Sequence, residues 1–296
     1  MDGAERMIEK LTGSELRGIL ENCGFSFSKS LGQNFLADER ILNKIADDAV
    51  LSPEQTVLEI GTGAGTLTRV LAGRVKRVVS IEVDAALLPV HRITLKGFGN
   101  VKVIHADFLK LDVCRLFQEE LEQDFAVTAN LPYYITTPII MRLLESGVPF
   151  RTMTVLVQRE VAQRMAAKEN TPEYGALSCA VQYYTNPVLC SKIPASCFYP
   201  APKVSSQVIR LEKLKQPPVK VQSEQLFFRV IRAAFAMRRK TLANNLMAAF
   251  SFTRGQTEEI LERCGLKSDV RGEALGLLQL GAVADAVGSL APDLLR

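Results

Sequence analysis

From about residue 54 to residue 167, short β-branched runs alternate with longer segments of helical periodicity. This alternation constrains the chain most, because βαβ units fold into a doubly wound, mostly parallel sheet. Since the crossovers are right-handed, the carboxyl ends of the strands meet at one edge, where ligands of such sheets bind. Strands are predicted at residues 57–60, 78–82, 101–105, 125–129 and 153–157, and helices at 65–72, 85–95, 138–145 and 159–167.

Further elements flank this core. Residues 36–50 are predicted to form an amphipathic helix, and the region of residues 25–50 to fold over the strand ends as a lid. Strands at 176–184 and 204–211, separated by a Pro-rich turn, are predicted to pair as an antiparallel edge hairpin. Helical patterns follow the Gln216-Pro217-Pro218 break. We therefore expect a Rossmann-like α/β domain at residues 1–210 and a smaller all-helical domain at residues 211–296, with helices at 224–237, 242–250, 257–264 and 274–287.

Composition excludes several classes of protein. The 296 residues are 47% hydrophobic and 23% charged, which is typical of globular proteins rather than disordered ones. No apolar run approaches 18 residues and the first ten residues lack a signal-peptide pattern, so a cytoplasmic protein without membrane contact is expected. The six cysteines include no Cys-x-x-Cys pair and only two histidines are present, so we expect neither disulfides nor a metal site.

The charge is uneven along the chain. Residues 203–296 hold 15 Lys/Arg and 9 Asp/Glu, whereas the first 202 residues hold 21 and 23. A basic tail domain is typical of a protein that binds a polyanion, although solvated helix faces produce the same pattern.

Asn130-Leu131-Pro132-Tyr133 follows a predicted buried strand. Asn130 offers an acceptor oxygen, Pro132 stiffens the turn, and Tyr133 supplies a flat face for stacking. Together they suit a planar exocyclic amine held against an aromatic ring. An Asx-type turn with one core tyrosine is the alternative interpretation.

A glycine loop joins the first strand of the core to a helix. Gly61 and Gly63 allow the backbone to approach a ligand closely, but the third glycine of a dinucleotide fingerprint is missing. Glu59 places a carboxylate just before the loop, which would repel a pyrophosphate and suits a cationic ligand.

Two more acids follow the next strands. Glu82 lies 21 positions after Gly61, where an acid accepts hydrogen bonds from ribose hydroxyls. Asp107 offers an acceptor to an adenine amino group beside the ring of Phe108. Glu82 alone could be a helix cap and Asp107 alone could belong to a turn. Together with Glu59, however, they place three acids at successive strand ends, which favours a nucleoside site.

These motifs together resemble the S-adenosylmethionine-dependent rRNA adenine N6,N6-dimethyltransferases over nearly the whole chain, and most closely the bacterial 16S branch. The resemblance rests on seven stretches, Leu31 to Leu36, Glu59 to Gly63, Ile81 to Asp84, Ala106-Asp107, Asn130 to Tyr133, Phe198 to Val204 and Arg238 to Leu246. Thr62, Tyr134 and Ser205 depart from residues that are common in the family.

The resemblance implies a class I methyltransferase sheet and S-adenosylmethionine as methyl donor, without a metal. It implies donor contacts from Asn34, Leu36, Gly61, Glu82, Asp107 and Asn130, with Gln33 and Phe108 as neighbours. From the glycine loop itself we expect Glu59 and Gly63 to contact the donor as well. It also implies a substrate, namely two adjacent adenosines in the hairpin loop near the 3′ end of 16S rRNA, within an immature small subunit. We expect the protein to act as a monomer.

Adenine N6 is a weak nucleophile, so its amine must be made more tetrahedral. We predict that the Asn130 side-chain oxygen and the Leu131 carbonyl accept the N6 hydrogens, that Pro132 holds the turn, and that Tyr133 and Phe198 stack on the base. Phe198 is alternatively a core plug between strands. The predicted rRNA contacts are Lys203, Arg238, Arg239 and Lys240.

Three other interpretations stay open. A 23S rRNA or DNA adenine methyltransferase shares part of the Asn-Leu-Pro-Tyr pattern. A small-subunit assembly factor with secondary catalysis would show the same motifs. A nicotinamide dehydrogenase is disfavoured by Glu59 and by the missing glycine.

Overall fold

A computed structural model describes residues 11–28 and 31–295 of the chain. The first ten residues, which the sequence assigned to the first domain, lie outside the described residues, as do residues 29 and 30 of the predicted lid. The chain divides into two compact units. The first unit comprises the chain up to Ala162 and Val188–Lys213, and the second comprises Gln163–Pro187 and the chain from Leu214 onward.

The first unit contains the predicted doubly wound sheet. Seven strands stand in the order β4-β3-β2-β5-β6-β9-β7, and a separate two-stranded sheet joins β1 to β8. Strands β2 to β6 pair in parallel, while β9 pairs antiparallel with β6, so the predicted mostly parallel sheet with an antiparallel edge is confirmed. The strands are β1 (Phe35–Leu36), β2 (Thr56–Ile60), β3 (Arg77–Glu82), β4 (Val101–His105), β5 (Ala126–Asn130), β6 (Thr152–Gln158), β7 (Thr185–Ile193), β8 (Phe198–Tyr199) and β9 (Ser206–Lys213).

Helices cover this sheet as the βαβ pattern predicts. Two of them were not predicted, although each begins at a recognisable cap: Thr12 forms a capping box with Glu15, and Asp112 accepts the N–H of Arg115. The helices are α1 (Gly13–Asn22), α2 (Glu39–Asp48), α3 (Thr66–Ala72), α4 (Leu88–Thr94), α5 (Val113–Glu120), α6 (Thr136–Glu145) and α7 (Arg159–Met165). Within the described residues, no helix is long and apolar enough to span a membrane.

The second unit is helical. Its core is formed by buried residues such as Phe227, Val230 and Leu280. Three of its helices begin at a hydroxyl cap, namely Ser223, Thr241 or Thr253. The helices are α8 (Ala176–Tyr184), α9 (Glu224–Ala234), α10 (Leu242–Phe250), α11 (Arg254–Arg263) and α12 (Leu277–Leu290).

The prediction of a strand at residues 176–184 was wrong, because this segment is helix α8. Short apolar runs do not distinguish a strand from a helix. Here the Ser178 hydroxyl accepts the Gly175 N–H at the helix start, and Tyr183 packs against Phe227 in the second core. The predicted partition at residue 210 therefore differs from the structure, since Gln163–Pro187 belongs to the helical unit.

The antiparallel end of the main sheet is consequently formed by β9, which pairs with β6, and by β7, which is the outermost strand. The Pro-rich connection between them leaves the main sheet and forms β8, which pairs antiparallel with β1. Phe35 lies opposite Tyr199 and Leu36 opposite Phe198. This pairing brings residues 31–36, here called the lid segment, to the carboxyl edge of the main sheet, where the predicted functional residues lie.

Candidate active site

One cavity lies at the carboxyl edge of the sheet, within the first unit. It gathers residues that are up to about 170 positions apart in the sequence, because the parallel strands all end at this edge. The predicted residues that line it are Gln33, Asn34, Leu36, Gly61, Gly63, Glu82, Asp107, Phe108, Asn130, Leu131, Pro132, Tyr133 and Phe198.

The glycine loop (residues 61–65) turns sharply between β2 and α3. Gly63 has φ +56° and Gly65 has φ +81°, conformations that L side chains rarely adopt. A Cβ at Gly65 would stand 2.9 Å from Thr94 Oγ1, so this glycine is needed for close packing against α4. The loop can therefore present its backbone to a ligand without side chains in the way.

His91 on α4 supports the same loop, which the sequence did not suggest. Its Nε2 lies 2.7 Å from the Gly63 carbonyl oxygen, and burial lowers the pKa of the imidazole. A neutral ring that donates from Nε2 satisfies this carbonyl. A histidine one turn into a helix carries no sequence signal for such a role.

Glu82 ends β3 and is 5% exposed. Its Oε2 accepts the Gly63 N–H at 2.7 Å, and its Oε1 accepts the N–H groups of Val83 and Asp84 at 2.9 Å. Burial raises the pKa of this carboxyl, while the three N–H donors oppose the shift. The carboxylate is thus fixed in position, and Oε2 retains a lone pair for a ligand hydroxyl.

Glu59 does not line the cavity, contrary to the prediction of a direct contact with a cationic ligand. Its side chain is fully buried, and its Oε2 accepts hydrogen bonds from Thr68 at 2.6 Å and from Ser80 at 2.7 Å. Glu59 lies opposite Ser80 in the parallel register, so both side chains point to the sheet face that α3 covers. Burial raises the pKa of Glu59 to about 8, which keeps the group neutral at pH 7.

Asp107 and Phe108 form another wall after β4. Phe108 is 4% exposed. Asp107 Oδ1 accepts the Leu109 N–H at 3.0 Å, and Oδ2 lies 3.3 Å from the Lys110 ammonium. The turn that was the alternative interpretation is therefore present, and the carboxylate still lines the cavity.

The lid segment is bonded to the strand ends. Gln33 Nε2 donates to Asp84 Oδ2 at 2.6 Å, and Thr66 Oγ1 donates to the Leu36 carbonyl at 2.7 Å. Asn34 Nδ2 donates to the Gly32 carbonyl at 2.8 Å. These bonds fix the segment against β3 and α3, so it closes one side of the cavity.

Residues 130–133, here called the acceptor turn, begin at the last residue of β5. The Asn130 amide nitrogen faces the Asn34 carbonyl at 3.5 Å. Among the described residues, neither the Asn130 side-chain oxygen nor the Leu131 carbonyl accepts a hydrogen bond. Tyr133 is half-buried, and its hydroxyl lies 2.7 Å from Ser206 Oγ. Burial raises the pKa of this phenol, so the group is neutral at pH 7.

Phe198 is both a core residue and a wall of the cavity. It is 6% exposed and packs with Leu36 and Val208. The two interpretations of this residue are therefore compatible. Within residues 11–28 and 31–295, no group of His, Cys, Asp or Glu is arranged to hold a metal ion.

The predicted basic contacts lie outside the cavity. Residues 238–240, here called the basic turn, connect α9 to α10 and lie between the two predicted helices. Arg238 pairs with Glu273 at 3.2 Å and donates to the Pro172 carbonyl. Arg239 and Lys240 are exposed and, in the described part of the chain, form no ion pair. Lys203 is exposed in the first unit.

Known proteins resemble this chain over almost its whole length. Ribosomal RNA small subunit methyltransferase A of Geobacillus sp. (strain WCH70) is 50% identical over 282 residues, 93% of this chain and 97% of the relative. The protein of the same description from Bacillus cereus (strain B4264) is 47% identical over 281 residues, 93% and 96% of the two chains.

Two solved structures share the fold. A dimethyladenosine transferase from Plasmodium falciparum superposes with a TM-score of 0.70 at 25% identity, over 83% of this chain and 95% of that one. The 23S rRNA methyltransferase ErmE superposes with a TM-score of 0.64 at 28% identity, over 86% and 99% of the two chains. The family model described as ribosomal RNA adenine dimethylase matches residues 24–278. With its methyltransferase sheet, its glycine loop and its acceptor turn, the chain belongs to the ribosomal RNA adenine dimethylase family.

Proposed function

We propose that the protein transfers methyl groups from S-adenosylmethionine to N6 of two adjacent adenosines in the 3′-terminal hairpin loop of 16S rRNA, dimethylating each. The observation that carries this proposal is the acceptor turn, whose two free oxygens lie in the same cavity as the fixed Glu82 carboxylate. Membership of the family and the small-subunit relatives support the rRNA substrate.

The cavity fits the methyl donor. Glu82 offers a buried carboxylate with a lone pair for ribose hydroxyls, and Phe108 and Leu36 offer apolar walls for an adenine. A Cβ at Gly63 would stand 3.4 Å from the Phe35 ring, so the bare backbone of this residue lets the lid segment pack closely over the glycine loop. Gln33, Asn34, Gly61 and Asp107 complete the donor side. When bound, S-adenosylmethionine supplies an activated methyl group on a sulfonium.

The acceptor turn prepares the nucleophile. The Asn130 side-chain oxygen and the Leu131 carbonyl accept the two N6 hydrogens, which makes the nitrogen more tetrahedral and withdraws its lone pair from conjugation with the ring. Positioning and this polarisation carry the catalysis, and no general base is required. Each methyl transfer releases one N6 proton, which passes to solvent.

The target base needs two walls. Tyr133 stacks on one face of the flipped adenine, with its hydroxyl held by Ser206, and Phe198 closes the other face. Stacking contributes about 1–3 kcal/mol per base, which is comparable with the cost of unstacking a loop nucleotide.

The second unit supplies charge for the small subunit. We assign Arg239 and Lys240 of the basic turn to rRNA phosphates, with Arg238 and Lys203 as further contacts. The immature subunit as binding partner, the monomeric state and the cytoplasmic location remain predictions.

The test is mass spectrometry of 16S rRNA after undermethylated small subunits have been incubated with the protein and S-adenosylmethionine. Two adjacent dimethyladenosines in the 3′-terminal hairpin are expected. Methylation at another nucleotide, or none, would contradict the proposal.

The likeness to ErmE favours 23S rRNA as the second candidate substrate. Undermethylated large subunits in a parallel reaction distinguish the two. Methyl incorporation into 23S rRNA alone would replace the small-subunit assignment.

A further inference from the structure

Arg17 on α1 is placed over the ring of an aromatic residue. Its guanidinium carbon lies 4.4 Å from the centroid of the Tyr199 ring. Arg17 is exposed and, in the part of the chain that the structure describes, forms no ion pair. A cation–π contact fixes the guanidinium without neutralising it, so its donors stay available to an anion.

The position of Arg17 is set by the active site itself. Leu16 and Leu20, on the buried face of α1, pack with Phe35 of the lid segment and Ala64 of the glycine loop. Helix α1 precedes the residues that the family model matches, which begin at residue 24. Helix α1 therefore positions the Arg17 cation by packing against residues of the active site, and it does so in a segment that the family model does not match.

Two exposed tyrosines flank the lid segment. Tyr134 lines the cavity and is 59% exposed, and a Cβ at Gly32 would lie 3.4 Å from its ring. Tyr199 is 41% exposed and lies opposite Phe35 in the β1–β8 pair. Since Gly32 and Phe35 are three residues apart, at most about 10 Å of extended chain separates these two contacts.

Tyr134 lines the cavity that is proposed to bind the target base, and Tyr199 directly follows Phe198, another residue of the lining. Single-stranded RNA is held by aromatic faces that stack on bases and by cations that contact the backbone. Tyr199 also meets the Phe27 ring edge to face at 5.4 Å, but both tyrosines are exposed, and Arg17 adds the charge that a phosphate requires.

We propose that Arg17, Tyr134 and Tyr199, here called the mouth surface, bind the single-stranded nucleotides that flank the target adenosine. The two tyrosines stack on flanking bases, and Arg17 contacts a phosphate of the same strand. The inference rests on the proposed function for the identity of the RNA, but the site is separate from the base clamp of Tyr133 and Phe198.

The role of the Arg17 charge is tested by measuring RNA affinity through fluorescence anisotropy. The probe is a labelled RNA hairpin whose loop carries two adjacent adenosines. Arg17→Gln is expected to weaken binding about three- to ten-fold at low salt and to reduce the salt slope by about 0.7, the value for one phosphate contact on a single strand. Lys76→Gln is the control, because Lys76 is an exposed cation of the same unit that directly precedes β3 and therefore lies at the amino edge of the sheet, where it pairs with Glu122. Equal effects of the two substitutions would overturn the assignment of Arg17.

Stacking by the rings of Tyr134 and Tyr199 is tested by comparing this hairpin with a second one in which the nucleotides flanking the target adenosine are abasic. Tyr134→Ala and Tyr199→Ala should each weaken binding of the intact hairpin about five-fold or more, whereas Tyr134→Phe and Tyr199→Phe should bind as the wild type does. The alanine variants should bind the abasic hairpin no more weakly than the wild-type protein does, because the ring contributes to binding only when its partner base is present. Additive losses would contradict stacking.

Unchanged melting temperatures show that the variants are folded. S-adenosylmethionine binding is expected to be unchanged in the variants of Arg17 and Tyr199, which do not line the cavity. The RNA-binding measurement does not need methyl transfer, so it is independent of the subunit experiment. If the wild-type protein fails to bind the hairpin, the mouth surface is refuted. If it binds as described but methylates no small subunit, only the proposed function fails.

Discussion

The two sides of the cavity differ in how their polar groups are used. On the donor side, the Glu82 carboxylate accepts three backbone N–H groups and the Gly63 carbonyl contacts His91. On the side of the acceptor turn, the Asn130 oxygen and the Leu131 carbonyl accept no hydrogen bond among the described residues. One side is therefore rigid before any ligand arrives, and the other keeps its acceptors open.

This difference matches what each side must do in the proposed reaction. A co-substrate that is the same in every turnover is bound best by a preorganised site. The target amine loses a hydrogen at each methylation, so its acceptors must serve a changing ligand. Substitutions on the two sides should accordingly affect different kinetic constants.

The largest effect is expected for Asn130→Ala. Loss of the acceptor should lower kcat more than about 100-fold, on the scale seen when one preorganised polar group of an active site is removed. Affinity for S-adenosylmethionine, measured by calorimetry, should change little. A large loss of affinity with kcat retained would break the comparison, because Asn130 would then belong to the donor side.

Glu82→Gln should affect the donor side instead. The substituted amide keeps one acceptor oxygen but turns its NH₂ group toward a backbone N–H, which costs about 1–3 kcal/mol. We expect KM for S-adenosylmethionine to rise about ten-fold or more, with a smaller change in kcat. Glu122→Gln, at an exposed acid paired with Lys76, is the control and should change neither constant.

The next prediction concerns the pH dependence of protein stability, which depends on the Glu59 side chain buried beneath the donor side of the cavity. The pKa of this side chain is raised from 4.5 to about 8 by burial, so the folded protein holds a proton that the unfolded chain releases above pH 4.5. The free energy of unfolding should therefore decrease as pH rises from about 4.5 to 8, by up to about 1.4 kcal/mol per pH unit.

Urea unfolding across this range provides the measurement, with Glu59→Gln as the comparison. The variant cannot release the proton, so its stability should decrease less steeply with pH. Parallel curves for the two proteins would show that Glu59 is ionised in the folded state.

The smallest effect is expected at the hydroxyl of Tyr133. Tyr133→Phe and Ser206→Ala each remove the hydrogen bond at 2.7 Å, which contributes about 0.5–1.5 kcal/mol, and each keeps the stacking ring. Both variants should retain most of the activity in a methyl-transfer assay, whereas Tyr133→Ala should lose more. Equal losses in Tyr133→Phe and Tyr133→Ala would show that the hydroxyl, rather than the ring, is the functional group.

Much of the site was predictable because parallel strands end at a common edge. Glu82, Asp107 and Asn130 each follow a predicted strand, and that position alone brought them into one cavity. Glu59 was misplaced, since its motif indicated an acid near the ligand but not the face of β2 from which the side chain projects. His91, Ser206 and Arg17 were not proposed, because each acts through a contact with a residue that is distant in the sequence.

The order of the parallel strands β2 to β6, the edge at which ligands bind and the family could all be read from the sequence, since they depend on local periodicity and on motifs. Three other features became known only from the fold: residues 176–184 form a helix of the second unit, Glu59 is enclosed beneath α3, and Arg17 lies over Tyr199. The physical reason is that burial and pairing of a side chain depend on what packs against it, and those partners come from other parts of the chain.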